Sequence, residues 1–292
     1  MAENGKYGMK ILVTGASGFI GANILRYLKE RGYNTYGCGR RQIEQKDDTY
    51  LVCNLAKEFP DFPADIIIHA AAVSPSADVG FYDYFDNNVL AVRNILQYAK
   101  TCGAKRLIYT AAVSSYGKVD GVLREDSPHN HADGYGLTKY VGEELVRNSQ
   151  IPYYILVLPG VVGKGCRDNW IMNTARQIYN NQNVTYFNGD GMFNNILDVT
   201  DLCRFISTLT EGENNCSETY LLGAKDKIKV KDVVEFLKES LGSKSQLTCV
   251  EKSGNSFYLD ISRALNAGFS PKSVKEILVD ICEEMSKEKE MN

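Results

Sequence analysis

A short apolar run, Lys10-Ile11-Leu12-Val13-Thr14, leads directly into Gly15-Ala16-Ser17-Gly18-Phe19-Ile20-Gly21, after which Ile24, Leu25 and Leu28 recur with Phe19 and Ile20 at helical spacing. Glycines between a strand and a helix permit a tight turn, close backbone approach to a phosphate and close helix–strand packing. The helix N-terminus adds N–H donors and positive partial charge. The segment predicts a strand–turn–helix unit holding a dinucleotide pyrophosphate, with Gly15, Ser17, Gly18, Phe19, Ile20 and Gly21 at the cofactor. The spacing G-x-x-G-x-x-G differs from the general G-x-G-x-x-G, and a purely structural turn is the competing reading.

Further strand-type runs fall at 35–38, 50–53, 66–69, 107–110 and 154–158, with helical periodicity over 89–99 and 141–146. Strands alternating with helices predict an α/β chain: a Rossmann-type, doubly wound parallel sheet. We expect a dinucleotide-binding domain over 1–160, with return segments near 195–210, and a smaller C-terminal substrate lobe over most of 161–292. Two late helices are expected there, around 233–241 and 274–285.

The net charge of −3, from 33 basic and 36 acidic residues, gives no electrostatic footprint for nucleic acid or an anionic membrane, so a small molecule is the expected partner. No apolar stretch reaches the ~20 residues of a membrane helix. Eight scattered cysteines without a C-x-x-C pair fit reduced thiols in a cytoplasmic enzyme. No metal site is expected, and His129-x-His131 reads as a polar loop.

After the second strand, where NAD-specific sites place an acidic residue, the chain has Arg40 and Arg41. Two guanidiniums favour the 2′-phosphate of NADP, with NAD as the alternative and a solvated basic turn as the bland reading. Tyr135 and Lys139 stand four apart on one helix face. A nearby ammonium and a cationic nicotinamide ring both favour tyrosinate, which would bring the phenol towards the range of a general acid/base.

The ordered set TGASGFIG (14–21), Asn54-Leu55, DIIIHAAA (65–72), NNVLAVRNIL (87–96), Tyr116-Gly117, YGLTK (135–139) and Glu143 resembles the extended short-chain dehydrogenase/reductases, most of all their NAD-dependent epimerase/dehydratase branch acting on nucleotide sugars. Later segments, LPGVVGKG (158–165) and Asp198-Val199-Thr200-Asp201-Leu202, extend the resemblance over nearly the whole chain. The resemblance implies that Gly15, Gly18 and Gly21 hold the pyrophosphate, Asn54 and Leu55 flank the adenine, and Ala70, Ala71 and Ala72 line the cofactor cleft. It makes Tyr135 the acid/base and Lys139 the ribose ligand that lowers the Tyr135 pKa. Asn88, Thr110 and Pro159 join the cofactor set, with helix packing as the other reading of Asn88. Ser74, Ser114, Asn169, Trp170 and Asn195 form the substrate set. A homodimer packing helices around 87–101 and 136–149 is also implied.

The chain departs from the family at one telling position. The strand before Tyr-Gly usually ends in a serine or threonine four residues before that tyrosine, and here the position is Ala112. Thr110 and Ser114 flank it, and Ser114 is the better substitute; an impaired redox step is the alternative. Leu158 stands where many relatives carry an arginine before the proline. Dehydratases of the family often add an acidic pair before Tyr-Gly, and Val113-Ser114-Ser115 offers none. The expectation is therefore an NADP-linked epimerase or reductase of a nucleotide-diphosphate sugar. The alternatives are a reductase of a non-sugar carbonyl compound and a catalytically weak NADP-binding sensor or partner protein.

Overall fold

The computed structural model describes residues 8–42, 49–59, 62–76, 78–166, 169–212, 216–252 and 256–290. They divide into two compact units, and the chain passes between them repeatedly. The first comprises Met1–Gly117, Pro128–Val157 and Cys203–Tyr220; the second Lys118–Ser127, Leu158–Leu202 and Leu221–Asn292.

The first unit is built on a seven-stranded sheet. Its strands are β1 (Lys10–Thr14), β2 (Asn34–Gly39), β3 (Tyr50–Val52), β4 (Ile66–His69), β5 (Arg106–Ala112), β6 (Tyr153–Leu158) and β7 (Glu218–Leu221). Their order is β7-β6-β5-β4-β1-β2-β3, and the pairings β1–β2, β1–β4, β2–β3 and β4–β5 are parallel. From β1 the chain winds outward through β2 and β3, then restarts at β4 on the other side. That reversal opens a crevice at the carboxyl ends of β1 and β4, where doubly wound sheets bind ligands.

The central strands are apolar on both faces because helices cover both. Ile66, Ile67 and Ile68 are completely buried, each contributing about 1.5–3 kcal/mol of transfer free energy. Helix α1 (Phe19–Glu30) buries Ile24, Leu25 and Leu28, as its periodicity requires. Helix α2 (Leu90–Cys102) follows a π-helical turn at Phe85–Val89, α3 is Gly134–Arg147, and α4 is Val199–Glu211.

The second unit holds four two-stranded ladders. Gly121–Leu123 pairs with Phe257–Leu259, Gly160–Val162 with Ile196–Asp198, Val184–Phe187 with Leu247–Val250, and Met192–Phe193 with Ile228–Lys229. Its core packs helices Trp170–Tyr179, Val230–Ser240 and Val274–Glu290 through residues such as Ile178, Val234, Leu237, Ile277 and Ile281. The unit boundaries differ from the expected division at residue 160. Segment 118–127 joins the second unit because its strand pairs with Phe257–Leu259. The segment returning to the main sheet is 203–220, since Ile196–Asp198 pairs instead with Gly160–Val162.

Candidate active site

The carboxyl ends of β1 and β4 are stitched together. Thr14 and His69 are register partners; Thr14 Oγ1 lies 2.8 Å from His69 Nδ1 and accepts from Ala71 N at 3.2 Å. Gly15 then turns at φ +68°, and a Cβ there would stand 2.7 Å from the Ala71 backbone. Only glycine fits both the left-handed conformation and the approach. Gly18 N donates to Gly15 O at 2.8 Å, and no side chain caps α1. An uncapped first turn behind a glycine cradle leaves backbone N–H donors of the kind that suit an anion. The cradle fits the pyrophosphate of a dinucleotide.

Around it, Ser17 packs against Gly39, where a Cβ would lie 2.9 Å from its Oγ. Arg40 follows β2 and donates to Asn87 Oδ1 at 2.8 Å, while the Arg41 carbonyl accepts from the Tyr50 hydroxyl at 2.7 Å. Both arginine side chains are exposed. Asn54 folds its carboxamide onto Ala56 N at 3.2 Å, and buried Leu55 accepts from Asn94 through its carbonyl at 2.9 Å. Asn88, buried in the π-helical turn, accepts from Val73 N at 2.8 Å and donates to Thr138 Oγ1 at 3.3 Å. It braces the segment carrying Ala70, Ala71 and Ala72 against α3; Ser74 is exposed just beyond.

The opposite wall is the end of β5 and the start of α3. Ala112 ends β5 in extended conformation, and a 3₁₀ turn, Val113–Tyr116, follows. The Ser114 hydroxyl is buried without a hydrogen-bond partner among the described residues. A Cβ on Gly136 would collide with the Ser114 carbonyl, so α3 can seat against this turn only through a glycine. The Thr110 hydroxyl, two residues earlier, donates from Oγ1 to His69 O at 3.2 Å.

Lys139 is buried and donates from Nζ to Thr110 O at 2.6 Å, with its ammonium 4.5 Å from the Tyr109 ring centroid. Burial pulls its pKa down to about 8, against the opposing pull of Glu143. Tyr135, half-buried, packs edge-on to Tyr84 at 5.8 Å between ring centroids. Its phenol is pushed up to about 12, first by burial, then by the Asp133 carboxylate and Tyr84. In the protein alone the Lys139 ammonium is turned to the Thr110 carbonyl.

The remaining sequence-predicted residues belong to the second unit. Asn169 caps helix Trp170–Tyr179, accepting from Met172 N at 2.9 Å and donating to Val161 O at 3.1 Å. Trp170 is 42% exposed and lies edge-on to Phe193 at 5.4 Å. Asn195 donates to Phe257 O at 3.2 Å, and its buried Oδ1 has no partner among the described residues. Pro159 is buried. His69 and Asn87 escaped sequence reading. Both were visible, as a histidine ending an apolar strand and an asparagine beside Asn88, but their partners lie 55 and 47 residues away.

A doubly wound sheet with a glycine cradle at its switch point and a tyrosine–lysine helix beside it defines an enzyme of the extended short-chain dehydrogenase/reductase type. Residues 11–223 match the NAD dependent epimerase/dehydratase family, and the chain belongs to that family. It is similar to an uncharacterized UDP-glucose epimerase of Bacillus subtilis, 25% identical over 288 residues, covering 88% of this chain and 90% of that one. Among solved structures it is similar in fold to MoeE5 in complex with UDP-glucose and NAD, with TM-score 0.82 and 23% identity over 96% of this chain and 99% of that chain. It is also similar to the UDP-glucuronic acid 4-epimerase of Bacillus cereus in complex with NAD, with TM-score 0.78 and 25% identity over 94% and 96%.

Proposed function

We propose that this enzyme epimerises or reduces a nucleotide-diphosphate sugar, with Tyr135 moving the proton and Ser114 holding the reacting sugar oxygen. The observation that carries the reading is the Tyr135–Lys139 helix, seated through Gly136 on the turn bearing Ser114, beside the glycine cradle of Gly15. When bound, the nicotinamide supplies reversible two-electron chemistry at a sugar carbon. Tyr135 donates its proton to a ketone oxygen in reduction, and in oxidation its phenolate takes the hydroxyl proton back.

Gly15, Gly18 and Gly21 would hold the pyrophosphate, Asn54 and Leu55 the adenine, and Lys139 the nicotinamide ribose after leaving Thr110. Arg40 and Arg41 support NADP over NAD, since a guanidinium matches a ribose phosphate. Ser74, Asn169, Trp170 and Asn195 are the other proposed substrate residues. A UDP-sugar is the class favoured by the relatives' names. The reading includes a homodimer and a cytoplasmic location; among the described residues no helix is long and apolar enough to cross a membrane.

Ala112 favours a second reading, a cofactor-binding protein with weak chemistry. Single-turnover nicotinamide absorbance, on mixing with NADP or NADPH and a panel of nucleotide sugars and 4-ketosugars, separates the two. A signal that vanishes in Tyr135→Phe establishes the enzyme reading. Tight NADPH binding without any absorbance change overturns it in favour of the second reading or a non-sugar substrate.

A further inference from the structure

His129 takes no part in the chemistry above, yet it is held more tightly than a polar loop requires. Its ring lies between those of Tyr116 and Tyr140, with centroids at 4.3 and 3.9 Å and planes within 14° and 27° of parallel. Its Nδ1 lies 2.8 Å from the Ser115 carbonyl oxygen. A carbonyl only accepts, so Nδ1 carries the proton and the tautomer is set.

The elements it joins give these contacts their meaning. Ser115 and Tyr116 belong to the turn that carries Ser114, and Tyr140 belongs to α3, which carries Tyr135 and Lys139. His129 touches the turn by one face and one edge, and the helix by its other face. The chain beside it reinforces the join: Asn130 N donates to Tyr116 O at 2.8 Å, and Asp133 caps α3 by accepting from Gly136 N at 2.7 Å. Behind the join, α3 buries Glu143, paired with Arg147 at 3.0 Å. Burial pushes the Glu143 carboxyl up against the opposing pull of Arg147, the Ser115 hydroxyl and His129.

We infer that His129 is a positioning residue: it fixes the turn bearing Ser114 against the helix bearing Tyr135, so that hydroxyl and phenol address one substrate oxygen. The catalytic consequence rests on the function proposed above, whereas the clamp is a property of the folded chain alone. The role needs two aromatic faces and an in-plane N–H together. Phenylalanine keeps the faces without the donor, asparagine keeps a donor without the faces, and alanine has neither.

The test is amide hydrogen exchange and steady-state turnover on His129→Ala, His129→Phe and His129→Asn, with imidazole ¹⁵N NMR of the wild type, whose three histidines make assignment direct. In His129→Ala, the amides of Gly117, Asn130 and Gly136 are expected to exchange about tenfold faster or more, with those of α1 unchanged. Turnover should show kcat down about 10–100-fold, as for a small misplacement of reacting groups, with KM and the NADPH Kd within about threefold. His129→Phe should recover part of both, and the wild-type spectrum should show the Nδ1–H tautomer. An Nε2–H tautomer, unchanged exchange in His129→Ala, or unchanged kcat in a variant whose turn has loosened overturns the inference. Should His129→Ala fail to fold, His129→Phe carries the same comparison for the edge bond. A wild type that turns over no sugar refutes the functional reading, and exchange with the tautomer then decides the clamp.

Discussion

Tyr135 is opposed in ionising by burial, the Asp133 carboxylate and Tyr84, in that order. Asp133 also caps α3, and asparagine caps about as well as aspartate. Asp133→Asn should therefore move the Tyr135-dependent limb of the kcat/KM–pH profile to lower pH without loosening the helix, because a neighbouring negative charge that disfavours phenolate is gone. A profile unmoved from wild type would mean that another group sets that limb. Ser114→Ala should lower kcat by about 10²–10³, the scale of a lost oriented donor, and leave NADPH affinity unchanged. Ala112→Ser, restoring a hydroxyl at the end of β5, should recover part of the loss; single-turnover rates on the two variants and their combination decide it.

At the scale of elements, the link from β2 to the π-helical turn is the Arg40–Asn87 hydrogen bond. If this arginine reads a ribose phosphate, Arg40→Ala should weaken NADPH about tenfold or more relative to NADH in a fluorescence titration, as expected for a charge-assisted hydrogen bond. Equal losses for both cofactors would assign Arg40 to the turn alone. The long elements were legible because periodicity is local: the strands at 66–69 and 154–158 and the helices through 89–99 and 233–241 stand close to where the residue pattern put them. The site was legible where one backbone property demanded one residue type, as at Gly15. What escaped depends on distant pairing. Strand β7 is a four-residue edge, and Gly121–Leu123 acquires its partner only at Phe257–Leu259. The partner of Lys139 is a main-chain carbonyl, which no side-chain motif announces.

For the molecule as a whole, His69 ties stability to pH. It is completely buried, and burial first, then Lys139, depresses its pKa to about 3. The unfolded chain takes up this proton from about pH 6.5 downward, whereas the folded chain resists until about pH 3. Its contribution is thus fully present above about 6.5, falls through the window, and is gone below about 3. Urea unfolding at pH 7.5 and 4.5 should show wild type losing about 2–3 kcal/mol more than His69→Asn, a difference that cancels other titrating groups. Equal losses would show that the ring is solvated in the folded state.

Arg106, completely buried at the start of β5, gives its guanidinium to the carbonyls of Leu209, at the end of α4, and Gly212. A nascent chain has threaded both units before those carbonyls leave the ribosome, so the first unit cannot be completed early. A fragment ending at residue 160 would strand this cation in an apolar interior and lack β7 altogether. It should be recovered as an insoluble or chaperone-bound species, whereas chains extending past residue 220 can close the sheet edge. The last strand to join the sheet is therefore the step at which synthesis commits this protein to its fold.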